Sequence, residues 1–295
     1  MNKPNTKPYH LPEDAIWLIT GCSSGIGREI AKYVADKSQR LIATARDPSS
    51  LSYLPDNDPT IFKHALDVTS PPSIDAAFKA AAAHFGDSFH IDVVVNNAGY
   101  SLSGDTESAT EEQTHDEMET LFFGTARVTV RAVGVMRQEK DQRGGLVFNI
   151  SSLAGVCAFQ GHAYYHAGKH AVEGWTESVA KEMHPDWNIN FCIVEPAGVK
   201  TNFEGGSKKY MDPHPAYTGA DMPSRQLEVI VKQALKSGAG IEPRAIAEAL
   251  FKIASREEKV PLHLPLGSTA FQLIRMKLKS RLAELDVLEE FGRID

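Results

Sequence analysis

The sequence predicts one α/β domain built on a doubly wound parallel sheet. Short apolar runs alternate with helix-patterned segments from AIWLIT (15–20) to INFCIVE (189–195). The runs are continuous in polarity, as strands covered on both faces require. A glycine-rich turn, TGCSSGIG (20–27), leaves the first run and opens the first helix. In such sheets ligand sits beyond the C-terminal ends of the strands.

The elements follow in order. AIWLIT (15–20) is a strand, and a helix runs from about Ile26 to Lys37. RLIATA (40–45) and IFKHAL (61–66) are the next strands, followed by an alanine-rich helix from about Ser73 to Phe85. IDVVVN (91–96) is β-branched and buried in character. One long helix is expected over about Glu111 to Gln138. GLVFNIS (145–151), a helix near 163–184 and INFCIVE (189–195) complete the alternation. Residues 204–223 are rich in glycine, proline and polar groups, and an unpatterned stretch of that length is functional or irregular. Helices follow at about Ser224–Ser237 and Pro243–Ser255. VPLHLPLG (260–267) suits an edge strand because of its prolines. In the C-terminal helix (271–291), Phe271, Ile274, Leu278, Leu282 and Leu285 recur at steps of three and four. That spacing marks a face expected to pack on its own domain. The organisation is thus an N-terminal tail (1–14), one domain over 15–295, a substrate-covering insertion at about 203–242, and a C-terminal helix.

Composition narrows the function classes. The chain has 295 residues, 42% of them hydrophobic, enough for a sizeable core. Lys+Arg total 31 against 38 Asp+Glu, a net charge of −7, which argues against a dedicated nucleic-acid binder. No run of about 18 apolar residues exists to span a membrane, and the first residues lack a secretory core. Cys22, Cys157 and Cys192 are scattered, without zinc-type spacing, and fit small buried residues in a reducing compartment. A soluble, cytoplasmic enzyme without a metal is expected.

The glycine turn has a specific use. Gly21 permits the tight turn, Gly25 lets backbone approach a pyrophosphate, and Gly27 allows helix and strand to pack. The helix that starts at Ile26 offers unpaired N–H groups to phosphate, and Ser23 and Ser24 add hydroxyl donors. At the end of the second strand stands Ala43-Thr44-Ala45-Arg46. An NAD enzyme keeps an acid there for the ribose, whereas a guanidinium suits a 2′-phosphate. Arg46 therefore favours NADP(H), unless it merely pairs with Asp47. Tyr165 and Lys169 lie four residues apart, on one face of a helix. An ammonium near a phenol lowers its pKa and makes it a usable general acid or base. Ser152 can hydrogen-bond the substrate oxygen.

These motifs resemble the short-chain dehydrogenase/reductase family over about residues 15–203. The matching features are TGCSSGIG (20–27), Asp67-Val68, NNAG (96–99), Ser152 thirteen residues before Tyr165, Tyr165-x-x-x-Lys169 and EPAGVKT (195–201). The last has Ala197 and Gly198 in swapped order relative to the family. The whole chain is similar to the 17β-hydroxysteroid-dehydrogenase-like branch and to reductases of fungal secondary metabolism. The resemblance implies a Rossmann fold with Ser152, Tyr165 and Lys169 as catalytic residues. It implies that Asp67 and Val68 face an adenine ring, and that Asn97, Ala98 and Gly99 line the cofactor cleft. It places Val199 and Thr201 at the nicotinamide, and Tyr165 and Lys169 against the cofactor. Arg131, on the long helix, is a further cofactor candidate. A homo-oligomer is open, because the family is often dimeric or tetrameric.

Two positions depart from the family. Leu121 stands where an asparagine holds a water linked to the lysine, and leucine has no hydrogen-bonding group. Proton supply then falls to another group, with His166 and a backbone-bound water as candidates. Gly168 replaces the usual serine before the lysine. The expected function is reduction of a bulky apolar ketone or aldehyde, or oxidation of its alcohol. The alternative is a non-redox isomerase, dehydratase or cyclase on the same scaffold, suggested by Leu121. Phe203, Tyr210, Met211, Tyr217 and Met222, with Tyr100, Phe159 and His162, are candidates for the substrate side.

Overall fold

Seven apolar runs pair into a fully parallel sheet in a computed structural model that describes residues 3–138 and 143–294. The sheet strands are β1 (Ile16–Ile19), β2 (Arg40–Ala45), β3 (Ile61–Ala65), β4 (Val93–Asn96), β6 (Gly145–Ile150), β7 (Ile189–Pro196) and β9 (His263–Leu266). Their order is β3-β2-β1-β4-β6-β7-β9. The chain winds outward from β1 to β3, then returns beside β1 and winds the other way. The reversal falls between β1 and β4, where such sheets open a crevice for ligand.

Alternation along the strands builds a core on each face. Trp17 and Ile19 of β1 join α1 (Gly25–Asp36) and α7 (Pro243–Ser255) on one side. Ile16 and Leu18 join α2 (Pro71–Phe85), α4 (Thr125–Gln138) and α5 (Ala163–Glu182) on the other. Trp17 stacks on Phe251 and Phe148, with ring centroids 5.8 Å and 6.4 Å apart. The prolines of the last strand are tolerated because β9 pairs only with β7, at the sheet edge.

Four regions differ from the sequence expectation. The long helix over 111–138 is interrupted: α3 (Glu111–Met118) passes through a π-helical turn, Glu119–Gly124, into α4. Such turns are frequent at functional sites, and Leu121 lies inside this one. The 203–223 stretch holds a short strand, β8 (Lys208–Tyr210), paired in parallel with β5 (Ser101–Ser103), and leads into α6 (Pro223–Lys236). The tail is docked: Asn5 exchanges hydrogen bonds with the backbone of Phe191, and buried Tyr9 donates to Asp92 O at 3.1 Å. Finally, α8 (Ser268–Gly292) does not bury its periodic face. Phe271, Leu278, Leu282 and Leu285 are 46–61% exposed, so only its first turns pack on the body. Amphipathic spacing identifies a face but not what covers it. Among the described residues no helix is long and apolar enough to cross a membrane.

Candidate active site

The crevice is built first from the turn after β1. Gly21 and Gly25 adopt positive φ (70° and 58°), a region that penalises any side chain with a Cβ. A Cβ at Gly21 would lie 2.9 Å from Ala98 Cα, and one at Gly27 would run into Asn97 Nδ2 and Gly21 O. The β4 end therefore braces the turn. Asn97 Nδ2 donates to Thr20 O and Gly21 O at 3.0 and 3.1 Å, and the Asn97 and Ala98 amides donate to Thr20 Oγ1. Ser23 and Ser24 stay exposed at the start of α1, and Ser24 caps no helical N–H with its side chain. These unpaired groups are what an anion at a helix N-terminus needs. Thr201 reaches the same turn from the β7 side, with its Cγ2 3.4 Å from a Cβ position on Gly25. Val199 is held by a parallel bridge to Ile241.

The adenine-side candidates separate. Val68 is buried against Gly124, and the Asp67 carboxylate accepts from Thr69 N and Thr69 Oγ1 at 2.9 and 2.7 Å, so it shapes the turn into α2. Arg46 is exposed just past β2 and has no hydrogen-bond or ion-pair partner among the described residues. Asp47 does not compete for it, because its carboxylate caps Ser49 N and Ser49 Oγ instead. Arg131 is paired with Asp75 at 3.1 Å and lies over the Phe78 ring at 5.2 Å, both in α2.

The Ser152, Tyr165 and Lys169 region is locked together by two hydrogen bonds between α5 and the end of β6. Lys169 Nζ donates to Ile150 O at 2.7 Å, two residues before Ser152. His166 Nδ1 meets Ala154 O at 2.8 Å, two residues after it. Lys169 Nζ lies 5.7 Å from the Tyr165 ring centre. Burial lowers the lysine pKa to about 8, while the charges of Glu173 and Glu117 oppose the shift. Phe203 approaches the Tyr165 ring at 6.2 Å. Under this floor a polar ladder joins the strand ends: Asn96 to Thr129 and Asn149, and Asn149 to Thr176, each at 2.8 Å.

His166 does not suit proton supply. Its Nε2 accepts from Phe159 N at 2.9 Å while its other nitrogen bonds Ala154 O, and burial lowers its pKa. Both ring nitrogens are committed to backbone, so it braces the Ser152 loop. Leu121 and Gly168 prove to be one change. Leu121 is fully buried, and a Cβ at Gly168 would sit 2.9 Å from Leu121 Cδ1. A Cβ at Gly99 would meet Leu121 Cδ2 at the same distance. The leucine fills the space that two glycines leave.

Glu117 was not singled out from the sequence, although it lies one turn before Leu121. It is fully buried; its Oε1 accepts from Leu102 N at 2.7 Å, and its Oε2 has no hydrogen-bond partner among the described residues. Burial pushes its pKa up to about 7, with Lys169 and Lys209 pulling it down. A raised folded pKa means that its contribution to stability is present at low pH. It is lost as pH rises from the ordinary 4.5 to about 7. Glu117→Gln is therefore expected to stabilise the protein by about 3 kcal/mol at pH 8 and to leave pH 4.5 nearly unchanged. Urea unfolding at both pH values checks this; equal slopes with pH for both proteins would refute it.

The insertion is tied to the body at Asp105. Its carboxylate pairs with Arg225, accepts from His214 N at 3.0 Å and from Ser224 Oγ at 3.3 Å. Beside the start of α5 this leaves a cavity of about 320 Å³ lined by Phe159, Ala163, Tyr217, Met222 and Ser224. Three of the expected substrate-side residues therefore meet there. Met211 is instead a buried anchor, Tyr210 is 52% exposed, and Tyr100 lies under Lys209 Nζ at 4.4 Å.

A doubly wound sheet with a glycine turn at its switch point, and a buried lysine beside a tyrosine at the strand ends, defines a nucleotide-crevice fold. The family profile described as short chain dehydrogenase matches residues 15–211, and the chain belongs to that family. It is 67% identical to the oxidoreductase calM of Penicillium decumbens over 296 residues, covering 100% of this chain and 97% of the relative. A short-chain dehydrogenase from Streptomyces avermitilis superposes with a TM-score of 0.83 at 34% identity, covering 95% of this chain and 98% of that one. An alcohol dehydrogenase from Thermococcus sibiricus complexed with 5-hydroxy-NADP superposes with a TM-score of 0.65 at 26% identity, covering 85% and 95%.

Proposed function

We propose that this chain is an NADP(H)-dependent oxidoreductase that reduces a bulky apolar ketone or aldehyde, or oxidises the matching alcohol. The observation that carries the reading is the buried Lys169 ammonium 5.7 Å from the Tyr165 ring, on a helix bonded to the Ser152 loop. The charge favours the phenolate form, so Tyr165 gives a proton to a developing alkoxide and takes one from an alcohol. Ser152 holds the substrate oxygen near that hydroxyl. A bound nicotinamide supplies or accepts the hydride. Proton return to Lys169 is assigned to Glu117, a buried carboxylate whose charge favours the ammonium and whose Oε2 has no hydrogen-bond partner among the described residues. Because the proton comes from a side chain, the reading requires no metal.

The cofactor fits the groups on the crevice rim. Ser23, Ser24 and the α1 N-terminus suit the pyrophosphate, Val68 and the Asn97–Gly99 turn line the cleft, and Val199 and Thr201 border the nicotinamide end. Arg46, exposed just past β2, favours the 2′-phosphate. Residues 203–242 serve as the substrate-side cover, and the 320 Å³ cavity, lined by Phe159, Tyr217 and Met222 together with Asp105, Thr106 and Gln160, has room for a bulky substrate. Arg46→Ala is expected to weaken NADPH about tenfold or more and to spare NADH, since one charge-assisted pair is worth that much. Fluorescence titration of both cofactors measures it; an unchanged preference removes Arg46 from the reading.

The activity test is NADPH oxidation, followed by absorbance, against a panel of bulky ketones. Turnover supports the reading. No turnover on any ketone or alcohol, with NADPH still bound, would sink it and favour a non-redox isomerase, dehydratase or cyclase. Leu121 is the observation behind that second reading.

A further inference from the structure

The feature that the proposed chemistry leaves unused is α8. From Arg275 to Gly292 every residue is exposed, about 27 Å of helix standing off the body. Most helical stability in proteins comes from packing of an amphipathic face, and this stretch packs on nothing in the body. Its exposed Leu278, Leu282 and Leu285, with Phe271, Ile274 and Leu288, lie within one stripe at steps of three and four. A continuous apolar stripe of this kind marks an interaction surface.

The charges say what covers it. Arg275, Lys277, Lys279 and Arg281 occupy the first half, and Glu284, Asp286, Glu289 and Glu290 the second, with no charge of the other sign in either stretch. This pattern works against the helix by itself. Arg275–Lys279, Lys277–Arg281 and Asp286–Glu290 are like-charged pairs four residues apart. Glu289 and Glu290 place anions in the last turn, where the helix dipole favours cations. The few ion pairs it makes are local and exposed, such as Arg281–Glu284 at 3.0 Å. A second α8 laid antiparallel sets each basic half on an acidic half and opposes the two dipoles. The same patch on both partners closes around a two-fold axis, as an isologous dimer requires.

We propose that α8 is an interface between two copies of this chain, paired antiparallel with the two-fold axis near Leu282. The stripe forms the seam and the split charge sets direction and partner, as flanking charges do in coiled coils. Nothing in this pairing depends on the hydride-transfer reading, and assembly is measured without cofactor.

Sedimentation velocity and light scattering on the full chain test it. Leu278→Glu with Leu285→Glu is expected to halve the assembly mass, with an unchanged circular dichroism spectrum of the folded domain. Reversing the four cations to Glu, or the four anions to Lys, is expected to weaken self-association about tenfold or more, while mixing the two variants restores a paired species. Cys22, Cys157 and Cys192 are buried, so an introduced thiol reports cleanly. Leu282→Cys is expected to cross-link two copies under mild oxidation, and Phe271→Cys is not, because antiparallel pairing separates it from its equivalent. A wild-type chain that stays single, an assembly untouched by the leucine pair, or cross-linking at Phe271→Cys overturns the proposal.

Discussion

Tyr165→Phe is expected to lower kcat by about 10²–10⁴-fold, the range a positioned general acid contributes. The substitution removes one hydroxyl from a half-buried ring and keeps its approach to Phe203 at 6.2 Å. Lys169 retains its bond to Ile150 O at 2.7 Å, which holds α5 against β6 without the phenol. Cofactor affinity should therefore stay near wild type while turnover falls. NADPH oxidation on an accepted ketone gives the first quantity, and fluorescence titration the second. A variant with wild-type kcat removes Tyr165 from the chemistry; a variant that loses cofactor binding shows a structural defect instead. Tyr164 is the internal control, because five residues separate it from Lys169 and Tyr164→Phe should leave kcat in place.

The largest stability effect is expected at Leu121. Leu121→Ala should cost about 2–5 kcal/mol, because the side chain is 1% exposed and two glycines leave nothing to refill its space. Gly168→Ser should cost about 1–3 kcal/mol through overpacking, since its Cβ would lie 2.9 Å from Leu121 Cδ1. Combining Leu121→Asn with Gly168→Ser restores both family residues at once. The pair should be less destabilised than the sum of the single changes by about 1–3 kcal/mol. Denaturant unfolding of the four proteins in the cycle measures this, and strict additivity would show that the two positions are independent. Kinetics of the same set bear on proton supply. A raised kcat in the double variant locates the relay at Leu121, whereas an unchanged kcat fits supply through Glu117.

Much of the site was legible because it is local. The turn Thr20–Gly27, the i,i+4 spacing of Tyr165 and Lys169, and Arg46 where an acid would end β2 are matters of neighbouring residues. Helical and strand periods convert directly into faces. The surroundings of Arg131 are not local: the chain places it on a long helix, and only packing shows that its guanidinium meets Asp75 and Phe78. Glu117 was passed over because its isolation inside the protein depends on β5, α5 and β8 closing around it.

The sequence by itself determined the parallel sheet, its glycine turn, and the family, since hydrophobic period and short motifs encode backbone geometry directly. Tertiary structure alone decided that Leu121 and Gly168 are one compensated pair, that His166 is a brace, and that the apolar stripe of α8 faces outward. Those outcomes depend on which side chains share a volume across distant segments, and periodicity records only that a face exists.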